Sequence, residues 1–161
     1  MGFKLTSAQE IHDGQVNAIW NAGWHEAHAS IVPSSLTALR TLESFQDRVA
    51  ENRVFTRIAL AGMDVLGFSM VKADELYQMY VSPKARGKGV AQALMWDAEA
   101  RMRAQGHKTA WLACAVNNNR AARFYEKCGW VNAGLEEVAL DTSEGSFLLE
   151  VWRFERALGQ G

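Results

Sequence analysis

A polar, glycine-bearing loop at residues 82–89 is the segment of this sequence best suited to binding an anion. Gly87 and Gly89 lack side chains that would keep a ligand away from the main chain, while Arg86 and Lys88 add positive charge. The loop leads into a predicted helix, whose first N–H groups lack internal partners and lie at the positive end of the helix dipole. A charge at an exposed helix end gains only about 0.3–1 kcal/mol, so several N–H groups must act together. We therefore expect this glycine loop to bind a phosphate or pyrophosphate.

Two common phosphate-binding fingerprints do not match the glycine loop. A Walker A loop requires GxxxxGK[ST], which the segment lacks. The dinucleotide fingerprint GxGxxG or GxGxxA fails at its last position, which is Gln92, and the segment lies in mid-chain rather than in a first βαβ unit. On the residues alone, an ordinary glycine-rich turn between a strand and a helix explains the loop as well as a ligand site does.

The elements that would position this loop are predicted from the hydrophobic period and from the helix and turn signals. In order they are a strand at 3–7, helices from Asp13 and Thr41, strands at 54–60, 65–71 and 76–81, a helix from Val90, a strand at 109–116, a helix capped by Asn119, and strands at 131–140 and 147–156. The order predicts one α/β domain of the α+β type over residues 1–161, with a mixed sheet of about seven strands flanked by about four helices. The strand–helix–strand unit from 76 to 116 should be parallel with a right-handed crossover.

Two of these helices allow predictions about individual side chains. In the helix from Val90, Glu99 and Arg103 are spaced to form an i, i+4 pair on the solvent side. Apolar residues recur every four positions and predict its buried stripe: Val90, Leu94, Ala98 and Met102. The short helix from Asn119 is predicted to turn four residues inward: Ala121, Phe124, Tyr125 and Cys128.

Composition argues against several classes of function. The 161 residues carry 17 Lys and Arg against 18 Asp and Glu, a formal net charge of −1, so there is no electrostatic footprint for bulk nucleic-acid binding. Cys114 and Cys128 form neither a CxxC pair nor a metal-ligand cluster with the four histidines, which predicts no metal and a reduced, cytoplasmic protein. No apolar run approaches the roughly 20 residues that cross a bilayer, so no membrane contact is expected.

Two motifs resemble those of the GNAT superfamily of acyl-CoA-dependent N-acetyltransferases. The signature loop of that family is [Q/R]-x-x-G-x-[G/A], and it is matched by Arg86-Gly87-Lys88-Gly89-Val90-Ala91 after a strand that ends Met79-Tyr80-Val81. The family's Asn…Ala…Phe-Tyr-Glu-Lys-x-Gly-aromatic run is matched by Asn119-Arg120-Ala121-Ala122-Arg123-Phe124-Tyr125-Glu126-Lys127-Cys128-Gly129-Trp130. Both motifs stand in the family's order and spacing, and the predicted element order is similar to the family's fold.

The resemblance implies that acetyl-CoA binds mainly through the protein main chain. N–H groups of the glycine loop and the first turn of the next helix would hold the pyrophosphate, and the strands on either side of that helix would splay apart to admit the pantetheine arm. The N–H of Met79 would face the thioester carbonyl as an oxyanion donor, Asn119 would hydrogen-bond the arm, and Phe124 would pack beside it. The implied cofactor-binding residues are Met79, Tyr80, Val81, Arg86, Gly87, Lys88, Gly89, Val90, Ala91, Asn119, Phe124 and Tyr125.

Glu75 is the candidate general base. An alkyl amine with a pKa of about 10 is mostly protonated at neutral pH, so a base must remove its proton before it can attack a thioester. The resemblance places Glu75 where some family members carry a catalytic Glu, and strand alternation puts it on one face with Tyr77, Met79 and Val81. Burial would have to raise its pKa from about 4.3. A solvated turn at Asp74-Glu75 is an equal alternative, and many family members use a water chain instead of one base.

Tyr125 is the candidate general acid. A phenol with a pKa of about 10 is protonated at pH 7 and can donate to a departing thiolate, and the resemblance implies this role. The alternative is that Tyr125 only packs on the apolar face of its helix. Cys114 and Cys128 also fall on apolar faces, where cysteine acts as a small hydrophobe, so a covalent route through either is not expected.

The predicted function is N-acetyl transfer from acetyl-CoA to a primary amine by direct attack in a ternary complex. A non-catalytic acyl-CoA-binding sensor of the same fold would need the glycine loop but neither Tyr125 nor a base. A nucleotide-binding kinase would need metal-binding carboxylates after a strand, which are absent from the sequence. The acceptor is a small-molecule or protein amine, and acidic loop residues such as Asp141 would favour a cationic one. The family resemblance also allows a homodimer, which no sequence feature indicates.

Overall fold

A single seven-stranded mixed sheet organises the chain, in a computed structural model that describes residues 2–159. The first residue and residues 160–161 of the predicted domain lie outside the described residues. The strands are β1 Lys4–Ser7, β2 Thr56–Ala61, β3 Asp64–Lys72, β4 Glu75–Val81, β5 Thr109–Ala115, β6 Val131–Thr142 and β7 Gly145–Ala157. Their spatial order is β1-β2-β3-β4-β5-β7-β6, and among these described strands only the neighbours β4 and β5 run parallel. The predicted mixed sheet of seven strands is confirmed.

Five α-helices flank the sheet within the described residues, one more than predicted. They are α1 Asp13–His28, α2 Ser34–Leu39, α3 Leu42–Asn52, α4 Val90–Ala104 and α5 Asn119–Lys127. The additional helix is α2, where Pro33 ends the preceding segment but also occupies the N-cap of six helical residues anchored by the fully buried Leu36. The predicted cap of α3 is confirmed, since Thr41 Oγ1 accepts a hydrogen bond from Ser44 N at 3.2 Å.

Some predicted element boundaries were wrong. Val54 is 85% exposed in a 3-10 turn, so β2 begins at Thr56. Asn119 is the first residue of α5 and its neighbour Asn118 occupies the N-cap. The hairpin loop expected over residues 141–146 is a turn of only two residues, because Thr142 already pairs with Gly145.

The parallel pair β4–β5 is joined only at its start in the described part of the chain. Glu75 pairs with Trp111, and Trp111 N donates to Asp74 O at 3.0 Å, but no pairing continues beyond that point. The other edge of β5 pairs with β7 along all seven residues, from Thr109 to Ala115. The two strands therefore diverge, which confirms the predicted splay.

A β-bulge in β4 changes which side chains share a face. Met70 pairs with Gln78 and Val71 with Leu76, so Tyr77 is the additional residue of β4. As a result, Leu76 and Met79 pack on the α4 side of the sheet, whereas Tyr77 and Tyr80 pack on the α1 and α3 side. The expectation from simple alternation that Tyr77 shares a face with Met79 and Val81 was wrong.

The helix α4 buries the predicted stripe of side chains, but its buried face is wider than predicted. Val90, Leu94, Ala98 and Met102 are all buried, as expected. Glu99 is also buried, with 5% exposure, and it accepts hydrogen bonds from Trp130 Nε1 at 3.2 Å and Arg156 Nε at 3.3 Å. Arg103 Nε instead donates to Leu158 O at 2.7 Å. The predicted solvent-side pair of Glu99 and Arg103 was wrong, because the buried face of α4 extends past a single row of side chains.

We predict that Glu99 is a structural anchor. Glu99→Ala leaves the buried Trp130 N–H without its acceptor and removes the ion pair with Arg156, so the free energy of unfolding should fall by about 2 kcal/mol. Glu99→Gln keeps an acceptor for the indole and should cost about half as much. Urea unfolding measures both, with the exposed Glu126→Ala of α5 as a control near zero. An equal effect of the alanine substitutions at 99 and 126 would contradict the assignment.

Candidate active site

The divergence of β4 and β5 opens a cleft of about 1150 Å³ across the middle of the sheet. That volume lies slightly above the range of about 300–1,000 Å³ usual for small-molecule sites and suits two ligands that meet in one cleft. Its walls come from β4, β5, α1, the glycine loop and α5, with a further contribution from the β6–β7 hairpin. Most of the predicted site residues lie around it: Glu75, Met79, Tyr80, Val81, Arg86, Gly87, Gly89, Val90, Ala91, Asn119, Phe124 and Tyr125.

The glycine loop presents its main chain to one end of this cleft. Gly87 and Gly89 have φ of +78° and +82°, a left-handed conformation that favours glycine. A side chain built on either would meet no other atom within 4 Å, so the space beside them is open. Gly89 is also the N-cap of the fifteen-residue helix α4, whose first N–H groups point out of its start. Lys88 does not line the cleft and turns to a separate shallow depression beside Phe3.

The Arg86 side chain is held by an acidic residue that was not selected in the sequence analysis. Its Nη2 and Nη1 donate to the two carboxylate oxygens of Glu26 on α1, at 2.9 and 3.2 Å. Arg120 on α5 approaches the same carboxylate at 3.5 Å. The hydrogen bond from Arg86 lowers the pKa of Glu26. Because the charge of Arg86 is already paired, the open main chain and the helix end carry most of the expected anion binding.

The middle of the cleft is bordered by an unpaired stretch of β4. Met79, Tyr80 and Val81 pair with β3 on one edge, while on the other edge no described strand pairs with them. Main-chain groups on such an edge need partners, and an extended ligand can supply them. Asn119 and Phe124 at the start and centre of α5 face this stretch across the cleft.

Glu75 lies half-buried at the point where β4 and β5 part. Desolvation raises the pKa of its carboxyl, while Lys72 opposes this shift and Asp74 adds to it. A carboxylate of raised pKa is a better base near neutral pH than an exposed one. The expectation of a merely solvated turn at this position does not fit this burial.

Tyr125 lines the cleft from the inner face of α5. Its ring packs against Phe124 and Phe154 with centroids 5.9 and 5.6 Å away. Burial raises the pKa of the phenol well above its ordinary value, so the hydroxyl stays protonated at any physiological pH. Burial likewise raises the pKa of the Cys114 thiol to about 12, which keeps it un-ionised and a poor nucleophile.

Three cationic residues at the far end of the cleft were not selected from the sequence. Arg40 precedes α3, Arg48 lies on α3, and Lys72 ends β3. They share no motif or regular spacing, and only the packing of α3 against the sheet brings them together. Within residues 2–159, no group of three or more His, Cys, Asp or Glu side chains is arranged to hold a metal ion, and no helix is long and apolar enough to cross a membrane.

Comparison with known proteins places this cleft in a family. The model of the acetyltransferase (GNAT) family matches residues 20–130, more than half of the chain and the stretch that holds both motifs. The mycothiol acetyltransferase of Streptomyces scabiei is 29% identical over 124 residues, which are 73% of this chain and 40% of that protein. An N-acetyltransferase of Mycobacterium tuberculosis is 31% identical over 107 residues, 63% of this chain and 66% of that protein. The chain thus spans less than two thirds of the length of these relatives.

The fold is shared with solved structures along its whole length. YncA of Salmonella typhimurium, solved with its cofactor acetyl-CoA, superposes with a TM-score of 0.71 over 100% of this chain and 96% of that one, at 13% identity. At that identity the likeness concerns the fold alone. The match of the family model over residues 20–130 carries the assignment, and the chain belongs to the acetyltransferase (GNAT) family.

Proposed function

We propose that this protein transfers an acetyl group from acetyl-CoA to a primary amine in a ternary complex. The observation that carries the proposal is the placement of Glu75, the β4 edge at Met79 and Tyr125 around one cleft that also receives the glycine loop. Family membership and the acetyltransferase names of the relatives support it. Bound acetyl-CoA would supply the activated acetyl group and no metal is needed.

The residues of the cleft fit acetyl-CoA. The open main chain at Gly87 and Gly89 and the start of α4 suit its pyrophosphate, and the unpaired edge at 79–81 suits the amide groups of its pantetheine arm. Asn119 offers a side-chain amide to the same arm and Phe124 an apolar surface. Lys88 turns away from the cleft, so we assign only its main chain to binding.

Three groups of the chain would divide the chemistry. Glu75 would take the proton of the amine, directly or through a water, and the N–H of Met79 would donate to the carbonyl oxygen as negative charge develops there. Tyr125 would give its proton to the sulfur that leaves, for which a protonated phenol is required. A cytoplasmic location and a homodimer stay predictions, which cell fractionation and size-exclusion chromatography with light scattering check.

We predict that Gly89→Asp abolishes acetyl-CoA binding. A carboxylate at this position would meet the pyrophosphate, and two charges about 4 Å apart at the effective dielectric of a protein surface repel by about 4 kcal/mol, or a hundredfold and more in affinity. Gly89→Asn is the matched control, because asparagine has the same shape and tolerates a left-handed backbone but carries no charge. Calorimetry with acetyl-CoA, and with dephospho-CoA and ATP for comparison, measures the affinities. Equal affinity of the two variants, or a preference for ATP, would refute the assignment of the loop.

We predict that Glu75→Gln lowers kcat/KM about a hundredfold at neutral pH and moves the profile to higher pH. In the unmodified protein kcat/KM should fall as the pH falls through the raised pKa of Glu75, at a higher pH than for an ordinary carboxyl. Asp74→Asn is the control. This substitution keeps an acceptor for Trp111 Nε1 and should retain activity. The fall of kcat/KM on the acid side should move to slightly lower pH, because Asp74 raises the pKa of Glu75.

The stability of the Glu75→Gln variant distinguishes a catalytic role of Glu75 from a structural one. The folded-state pKa is raised, so the stability that the neutral carboxyl contributes is present below the unfolded pKa and is lost as the pH rises through the folded pKa. Glu75→Gln should therefore be at least as stable as the unmodified protein at pH 8 while it is slower. An unmoved pH profile would favour a route through water alone, and lower stability would indicate a structural role.

We predict that Tyr125→Phe lowers kcat about a hundredfold and leaves the dissociation constant of acetyl-CoA within about threefold. The substitution removes the proton donor but keeps the ring that packs on Phe124 and Phe154. Calorimetry gives the binding constant and thiol release gives kcat. Unchanged turnover would limit Tyr125 to packing, and acetyl-CoA binding without turnover of any amine would favour the sensor.

A further inference from the structure

The end of the cleft beyond Glu75 carries an excess of positive charge. Arg40, Arg48 and Lys72 line it, and we refer to them as the cationic wall. None of the three is part of an ion pair within residues 2–159. Buried cations without a carboxylate partner are costly to a fold.

Arg40 is the most buried member of the wall, with 2% exposure. Its Nη1 donates to the main-chain oxygen of Asp141 at 2.7 Å, while its Nε has no partner in the described part of the chain. Burial and, to a lesser degree, the nearby Arg48 lower the pKa of its guanidinium to about 10. The Asp141 side chain opposes this shift weakly, without an ion pair. The charge of Arg40 is thus only partly compensated.

Arg48 orients a hydroxyl group of the cleft. Its Nη2 donates to the Tyr77 oxygen at 2.9 Å, and its Nε and Nη1 have no described partner. The guanidinium also lies over the Trp20 ring at 4.3 Å, which compensates part of its desolvation. Because the Tyr77 oxygen accepts from Arg48, its own proton is directed away and can be donated to a second group.

Tyr77 stands at the bulge of β4, two residues after Glu75. The bulge places its ring on the α1 and α3 side, within the cleft lining, with Lys72 Nζ at 4.0 Å from the ring centroid. Tyr77 thus offers a hydrogen-bond donor that is surrounded by three cations and lies near the candidate base. An acceptor group bound to this hydroxyl would be stabilised most if it were an anion.

We propose that the acceptor amine carries a carboxylate, which the Tyr77 hydroxyl binds while the cationic wall neutralises its charge. The substrate class is then amino acids and related amines with a free carboxylate, with the amine directed toward Glu75. This inference rests on the proposed function and deepens it. This proposal opposes the earlier expectation that acidic loop residues favour a cationic acceptor. Polyamines and other acceptors that carry only positive charge would be repelled by the cationic wall.

Binding of a non-reacting carboxylate tests the site without knowledge of the substrate. We use 3-phenylpropanoate, its neutral amide and phenylethylphosphonate as probes, titrated by calorimetry with CoA at saturation so that the glycine loop does not compete for the anion. The carboxylate should bind about ten- to a hundredfold more tightly than the amide, as expected for hydrogen bonds to a charged group. Equal binding of acid and amide, or tighter binding of the phosphonate, would overturn the proposal.

Substitutions in the cationic wall and at Tyr77 test which residues produce the preference for the carboxylate over the amide. Tyr77→Phe keeps the ring and removes only the hydroxyl, and Arg48→Met keeps apolar contact with Trp20, so each should remove most of the preference for the carboxylate. Arg123→Gln removes an exposed charge on α5 outside the cleft and should leave that preference unchanged. A preference that survives in Tyr77→Phe and Arg48→Met would place the carboxylate elsewhere and refute the site.

Turnover then separates this proposal from the proposed function. Phenylalanine, phenylalaninamide and phenethylamine are compared by thiol release, alongside calorimetry with acetyl-CoA. If the protein binds acetyl-CoA but turns over phenylalaninamide or phenethylamine faster than phenylalanine, the proposed carboxylate on the acceptor is refuted. The proposed acetyltransferase activity then stands. If the protein binds the carboxylate through Tyr77 but binds no acetyl-CoA, the anion site at Tyr77 stands. The proposed acetyltransferase activity is then refuted.

Discussion

The pairing of β5 determines the rest of the structure. All seven residues of β5 are paired in register with β7, while β4 is paired with β3 on its far edge, so each half of the sheet has its own strand pairing without the other. Within residues 2–159, the two halves pair as strands only at Glu75 and Trp111. Beyond that contact the edge of β4 that faces β5 has no strand partner among the described residues, and exposed edge groups retain their need for hydrogen bonds. A ligand with its own amide groups can meet that need, so the cleft and its preference for an extended ligand have the same origin.

The bulge at Tyr77 divides the cleft between two tasks. By adding one residue to β4 it turns Met79 to the α4 side, next to the glycine loop and α5, and turns Tyr77 to the α1 and α3 side, next to Arg48. One strand therefore borders a half that suits a nucleotide thioester and a half that carries the cationic wall. Glu75 is half-buried, and Arg40 is buried without an ion pair in the described part of the chain, so desolvation shifts the pKa of both groups. Groups perturbed in this way concentrate at functional sites.

Local sequence was sufficient for the parts of the site that are contiguous. The glycine loop, the start of α4 and the inner face of α5 lie within single motifs, so their types and spacing predicted their placement. The bulge at Tyr77 depends on strand register, while the pairing of Arg86 with Glu26 and of Trp130 with Glu99 depends on contacts between residues 60 and 31 positions apart. No periodicity encodes these contacts. Arg40 and Arg48 were missed for the same reason. From sequence alone, an arginine between apolar positions is predicted to be solvent-exposed, and only the packing of α3 shows otherwise.

The two ends of the cleft bear on the same proton transfer. In water an alkyl amine and a glutamate differ by about six pKa units, so transfer from the ammonium to the carboxylate is very unfavourable. Desolvation raises the pKa of Glu75, and the cationic wall would lower the pKa of an ammonium bound beside it, because like charges disfavour the charged form. Both shifts narrow the difference between the two pKa values, while Lys72 of the wall opposes the rise in the pKa of Glu75 and so offsets part of this effect. A carboxylate on the acceptor would offset part of the wall's effect on the amine while it secures binding, so Arg40, Arg48 and Lys72 together can hold one anion and still leave the amine easier to deprotonate.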